Sequence, residues 1–242
     1  MDNLSLIYGK HAVNEFIKKH PNLIKKVYSS NNFKIEITDY KFQVINTDIK
    51  KIEELIGHEV NHQGVIAEVK EFNYKPFNEA LNEMNNDEPK LVLILDQIQD
   101  PYNFGAIIRS SSLLGVDQIV ILDHKQVFVN STVVKTSAGT VYDMKISKVT
   151  NLSNAIKDLQ KKGFWIYSTH LNSQSSDMRK VDFANKTAIV IGNEHKGVSE
   201  LVMKNSDMNV FIPSTNTIDS YNANVAASLI LFHVANYIGK LK

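Results

Sequence analysis

Only two of the 27 basic residues are arginine, Arg109 and Arg179; the other 25 are lysine. A chain so rich in lysine, asparagine and isoleucine is expected from an AT-rich genome, where an arginine without a special task is readily replaced. Arginine is always protonated and presents a planar fork of donors. That fork can hold a phosphate on two bonds and stabilise an alkoxide as it forms. Arg109 sits in DQIQDPYNFGAIIRSSSLLG (96–115), six residues after Asn103 and four after Gly105. Arg179 sits in the polar stretch SSDMRK, matches no motif, and reads as a surface residue. Two further loops carry groups with chemical potential. In IGNEHKGVS (191–199), Gly192 admits close backbone approach, and Glu194 can orient an amide or take a proton through water. In FIPSTNTIDSYNANVAAS (211–228), Ser220, Asn222 and Asn224 open a helix. Helix capping alone accounts for such residues, so capping and a site role both stay open for them. Ile212 and Tyr221, taken by themselves, are ordinary core residues.

The elements around these loops are expected to position them. LVLIL (91–95), IVIL (119–122), FWIYS (164–168), TAIVI (187–191) and NVFI (209–212) are apolar runs of the kind buried on both faces of a sheet. Helical patterns separate them at 103–114, 132–138, 152–161, 199–204 and 222–238. Strands alternating with helices predict an α/β fold with a mostly parallel sheet. Ligands bind such sheets beyond the carboxyl ends of the strands, where all three loops fall. Residues 1–73 read as a separate small α/β unit. It has helices around 14–18 and 49–56 and strands at 25–29, 42–45 and 64–69. Residues 74–88, with proline near both ends of the stretch and Asn, Asp and Glu between, read as a linker to a domain at 89–242.

Several function classes are excluded or disfavoured. The net charge of +1 rules out an RNA binder relying on bulk charge, but not a local basic patch. No cysteine is present, so disulfides, thiolate nucleophiles and thiolate-ligated metals are absent. GxGxxG, Walker, GxSxG and HExxH patterns are missing. His58 and His62 are four apart, but Gly57 and Gly64 flank them and no carboxylate motif is near, so no metal site is expected. The chain has no signal-peptide pattern and no bilayer-length apolar run, which makes a cytoplasmic, non-membrane protein the expectation. Lys10, Lys18, Lys19, Lys25 and Lys26 cluster around the first helix and its turn as a candidate phosphate-contacting face. His11 has a local structural role or contacts RNA.

The ordered set of motifs resembles the SpoU-type RNA ribose 2′-O-methyltransferases of the SPOUT class. The resemblance rests on Asn103, Gly105 and Arg109; on Gly192, Asn193 and Glu194; on Ile212, Pro213 and SYNANVA (220–226); and on YGKHAV (8–13) and HQGVIAEV (62–69). The subgroup it looks most like methylates a guanosine ribose of large-subunit ribosomal RNA. It implies a trefoil-knotted catalytic domain preceded by a ribosomal-protein-like RNA-binding domain, bent S-adenosylmethionine in the knot, and a homodimer with the active site near its interface. By the same resemblance Arg109, Glu194 and Asn222 are catalytic, and Gly192, Ile212 and Tyr221 hold the cofactor. Asn103, Lys10 and His11 contact RNA, and no metal is used. Whether Arg109 acts as base or as electrostatic stabiliser stays open. Tyr221 stands where the family usually has leucine, Asn224 where it has serine, and His195–Lys196 where it has a Gly-Glu or similar pair. The expected reaction is methyl transfer to a ribose 2′-hydroxyl in 23S rRNA. The alternatives are a tRNA target, or a catalytically silent RNA-binding assembly factor on the same fold.

Overall fold

The computed structural model describes residues 4–30, 33–35, 40–57, 61–84, 86–172, 174–194, 196–215 and 221–241. His58, His195 and Ser220, singled out above, lie outside the described residues. The first elements are β1 (Leu4–Tyr8), α1 (Lys10–Lys19), β2 (Ile24–Ser29), β3 (Gln43–Asn46), α2 (Ile49–Ile56) and β4 (Val65–Lys70). They form a mixed sheet in the order β1-β4-β2-β3, with only β2 and β3 parallel. Helix α1 buries Val13, Phe16 and Ile17 on one face, the i, i+3, i+4 spacing of an amphipathic helix. Asp48 caps α2 by accepting the Lys51 N–H at 2.8 Å.

The chain continues through α3 (Phe77–Asn82), β5 (Lys90–Asp96), α4 (Pro101–Leu113) and β6 (Gln118–Leu122) to α5 (Ser131–Thr136). It then runs through β7 (Ile146–Val149), α6 (Leu152–Lys161), β8 (Trp165–Thr169), β9 (Ser176–Asp177), β10 (Lys186–Gly192), α7 (Glu200–Asn205), β11 (Met208–Phe211) and α8 (Ala223–Tyr237). Two compact units result: 1–73 with 129–142, and 74–128 with 143–242.

This division differs in two places from the one read in the sequence. Residues 129–142 belong with the first unit, because α5 packs on β1 with Val133 and Val134 buried. Lys135 Nζ also lies 4.8 Å from the Tyr8 ring centroid. Tyr142 meets Phe16 edge-on and donates to the Lys70 carbonyl at 3.0 Å, and burial pushes its phenol up to about 12. Residues 74–88, read as a linker, are structured: α3 and the turn after it bury Ala80, Leu81 and Met84 in the second unit. Lys75 and Lys145 both bind Glu83, the latter at 2.7 Å, and hold its carboxyl at about 2.

The second unit is a sheet in the order β7-β6-β5-β10-β8-β11-β9, and every neighbouring pair is parallel. Strands β5 and β6 are buried throughout, which explains their uninterrupted apolar runs. Strand β7, only four residues with two of them buried, gave no run to read. Helix α8 buries Ala227, Ile230, Leu231 and Val234 and leaves Val225, Leu229 and Phe232 exposed. Among the described residues no helix is long and apolar enough to cross a membrane. The knot implied by the resemblance depends on the course of the chain into α8, and 216–220 of that course lie outside the described residues.

Candidate active site

Three polar side chains from three distant segments meet beyond the ends of β5 and β10. Asp100 caps α4 by accepting the Tyr102 N–H at 3.0 Å, and Pro101 occupies the first turn. This places Asn103 one turn into the helix, 7% exposed. Its amide nitrogen donates to Glu194 Oε1 at 2.7 Å, and its amide oxygen accepts from Asn224 Nδ2 at 2.8 Å. Both ends of the Asn103 amide are thereby fixed. One turn along α8, Ser228 repeats the tie to α4 by donating to Ser110 Oγ at 2.8 Å. Asn224 thus belongs to the site more directly than Asn222, which is exposed and caps α8 by accepting the Asn224 N–H at 3.0 Å.

The loop carrying Glu194 turns back on itself. Asn193 N–H donates to Gly197 O at 3.1 Å, and Gly197 N–H to Asn193 O at 2.8 Å. The returning backbone runs against Gly192, where a Cβ atom would stand 2.1 Å from Gly197 C and 2.2 Å from Val198 N. Glycine at 192 is therefore required by the loop's own return. Asn193 Nδ2 donates to Gln97 O at 2.9 Å, and Ser199 N–H to buried Asp96 Oδ2 at 2.8 Å. These bonds pin the loop to the end of β5.

Beside the polar cluster opens a cavity of about 1000 Å³. Residues 169–171, 191–194 and 210–215 line it, with Asp177, Arg179, Lys196, Gly197, Tyr221, Ala223 and Ala226. Gly192, Glu194, Ile212 and Tyr221 from the sequence reading all face this one space. Tyr221 OH donates to Pro213 O at 3.0 Å.

Arg179, read from sequence as a surface residue, is also in the cavity wall. Asp177 accepts from Arg179 Nε at 3.0 and 3.1 Å and from its terminal nitrogen at 2.6 Å. The guanidinium holds the Asp177 carboxyl down at about 2. The sequence held the signal for Arg179, its survival among lysines, but no motif to support it.

Arg109 does not join the cluster. Six residues at about 100° each carry it roughly 240° round α4 from Asn103. There it is exposed, and its side chain has no hydrogen bond or ion pair to any described residue. Lys10 and His11 are exposed in the first unit, where the Lys10 N–H donates to Gln63 Oε1 at 2.9 Å. His62 Nδ1 accepts the Gly64 N–H at 3.0 Å, a bond within a turn. Among the described residues no group of three or more His, Asp or Glu is placed to hold a metal ion.

Comparison with known proteins gives this geometry a family. Residues 90–232 match the SpoU rRNA methylase family model, and residues 6–75 match that of the RNA 2′-O ribose methyltransferase substrate-binding domain. The chain is 35% identical over 240 residues to a Staphylococcus aureus protein assigned to the TrmH family of tRNA/rRNA methyltransferases, covering 95% of each. An uncharacterised tRNA/rRNA methyltransferase of Mycoplasma genitalium is 37% identical over 237 residues, covering 94% of this chain and 96% of the relative. The crystal structure of an AdoMet-bound rRNA methyltransferase from Sinorhizobium meliloti superposes with a TM-score of 0.76 at 21% identity, covering 97% of this chain and 87% of that one. The chain therefore belongs to the SpoU family of RNA 2′-O-ribose methyltransferases.

Proposed function

We propose that the cavity holds S-adenosylmethionine and that its methyl group passes to a ribose 2′-hydroxyl of RNA. The observation that carries this is the double membership of Glu194, which lines the cavity and also accepts the Asn103 amide. A volume of about 1000 Å³ has room for a nucleoside bearing an amino-acid tail. Apolar strand-end residues such as Val210 and Ile212 suit a flat base, and the carboxylate of Glu194 suits a sulfonium group. Gly192, Ile212 and Tyr221 are assigned to this ligand. When bound, it supplies an already electrophilic methyl group, so the chain's part is placement and charge stabilisation.

Asn103 spends one amide hydrogen on Glu194 and keeps the other for the ribose. Glu194 Oε2, which has no hydrogen bond to a described residue, takes the hydroxyl proton through one water. Asn222 acts through the cap that holds Asn224 against Asn103. Arg109 stabilises the developing alkoxide and clamps a neighbouring phosphate. It reaches the cluster from a second copy of the chain: Arg109 is unpaired among the described residues, and α8 beside α4 carries an exposed apolar stripe of Val225, Leu229 and Phe232. Lys10 and His11 contact RNA from the substrate-binding unit. That unit comprises 1–73 with 129–142, and catalysis belongs to the rest. We place the reaction in the cytoplasm and its target at a guanosine of 23S rRNA, the subgroup the motif set looks most like.

The test is transfer of a labelled methyl group from S-adenosylmethionine to purified rRNA and tRNA. It is paired with mapping of 2′-O-methyl marks in cells with and without the protein. A mark lost from one 23S guanosine supports the full reading, and a mark lost from tRNA moves the target. Turnover on neither RNA by a dimer that binds both ligands would leave a silent binder.

A further inference from the structure

We infer that Arg179 is a stacking platform for the adenine base of S-adenosylmethionine. The inference rests on the cofactor reading of the cavity and assigns a residue within it. Position comes first. Glu194 follows β10, whereas Arg179 lies two residues past β9, and the sheet order β10-β8-β11-β9 puts three strand spacings between them. At about 4.8 Å each, that is roughly 14 Å, too far for Arg179 to touch reacting atoms held at Glu194 and Asn103. It stands at the opposite end of the same cavity, where Asp177 pairs in register with Phe211, the residue before Ile212. The occupant of that end is the part of the ligand remote from its methyl group.

The chemistry of the side chain then narrows what it touches. Asp177 takes the Nε–H and one N–H of a terminal nitrogen, so the side-on edge of the guanidinium is filled. Much of its charge is compensated by the same carboxylate. The end-on edge and the two flat faces are left unused by Asp177; with the charge compensated, the faces are what a neutral base meets, and a guanidinium face stacks well on an aromatic ring. The in-plane bonds to Asp177 also fix the tilt of that face. Lysine has no face to offer, which accounts for arginine at 179 in a chain that uses lysine nearly everywhere else.

The experiment measures binding of S-adenosylhomocysteine and of 5′-methylthioadenosine, which has the base but no amino-acid tail, to the full chain. Wild type is compared with Arg179→Lys by calorimetry. Both ligands are expected to weaken by the same factor, roughly 3- to 30-fold. In wild type, intermolecular nuclear Overhauser effects are expected between the Arg179 side chain and adenine H2 or H8, a readout that holds even if the variant folds poorly. Unchanged affinities overturn the inference, as does weakening of the tail-bearing ligand alone. Weakening confined to RNA, or absence of the adenine contacts, overturns it too. Failure of wild type to bind either ligand would instead remove the cofactor reading itself.

Discussion

The cavity wall and the outer face of α4 and α8 are built in opposite ways. Around the cavity, loops after three strands, β5, β10 and β11, are tied to one another inside a single chain. Asn193 reaches Gln97, Ser199 reaches Asp96, Tyr221 reaches Pro213, and Asn103 is held by Glu194 and Asn224. On the outer face of α4 and α8, Arg109 has no partner among the described residues, and Phe232 is 58% exposed beside Val225 and Leu229. The contrast teaches that the cavity wall is preorganised by one chain, while on the proposed reading the charge that stabilises the transition state waits on a second surface. Changes in the cavity should therefore show in ligand affinity or stability, and changes on the outer face in turnover and oligomeric state.

The largest expected effect is on Arg109→Lys. Losing a forked contact made in the transition state costs about 2.7–4 kcal/mol, roughly 10²–10³ in rate. Single-turnover methylation should fall by that factor while S-adenosylmethionine affinity stays level. Mixing Arg109→Lys with Glu194→Gln subunits should regenerate one intact site per mixed dimer. No recovery in dimers shown to exchange would place Arg109 in its own chain's site and erase the contrast.

Next comes the apolar stripe. Phe232→Asp puts a charge in the middle of the proposed contact, and central interface residues typically contribute about 2 kcal/mol or more. Sedimentation should show a monomer that keeps its ligand affinity and loses turnover. A fully active monomer would remove the second surface from the mechanism.

Inside the cavity, Gly192→Ala should act on binding and stability together. Its Cβ would meet backbone atoms at 2.1 and 2.2 Å, which cannot swing aside as a flexible side chain can. Overpacking of this kind costs about 1–3 kcal/mol, to be read as a lower Tm and a weaker Kd for S-adenosylhomocysteine. Asn224→Ala should cost about 1–3 kcal/mol, since Asn103 keeps its bond to Glu194 but its buried amide oxygen loses the Asn224 donor. The effect should appear in kcat more than in KM for S-adenosylmethionine.

The smallest effect concerns pH. The Asp177 carboxyl is depressed in the folded chain, so its contribution is present above the ordinary carboxylate range. It is lost only as pH falls towards about 2. Affinity for 5′-methylthioadenosine should therefore be flat between pH 8 and 5. A loss centred near pH 6 would show that some other group holds that end of the cavity.

Much of the catalytic unit was readable from local pattern. The apolar runs at 91–95, 119–122 and 187–191 fell inside observed strands, because burial on both faces leaves a signal within five residues. The motif loops followed β5, β10 and β11, at the strand ends where an open parallel sheet binds ligands. The short helix α3 was hidden by the polar residues around it, and β7 by its four-residue length. Arg179 was visible as an exception in composition, yet nothing beside it in the chain told of the cavity.

The sequence by itself determined most of the elements and the three motif loops, since each rests on residues within a turn or a strand of one another, and the order of those loops along the chain carried the class of chemistry through a family resemblance. The tertiary structure alone decided which of those residues meet. Asn103 and Asn224 are 121 positions apart and Asn103 and Glu194 are 91 apart, separations over which no local periodicity acts. It also decided that 129–142 packs with the first unit and that Arg179 faces the cavity. The first depends on α5 packing on β1, and the second on the order β10-β8-β11-β9, which is set by how the whole sheet buries its faces.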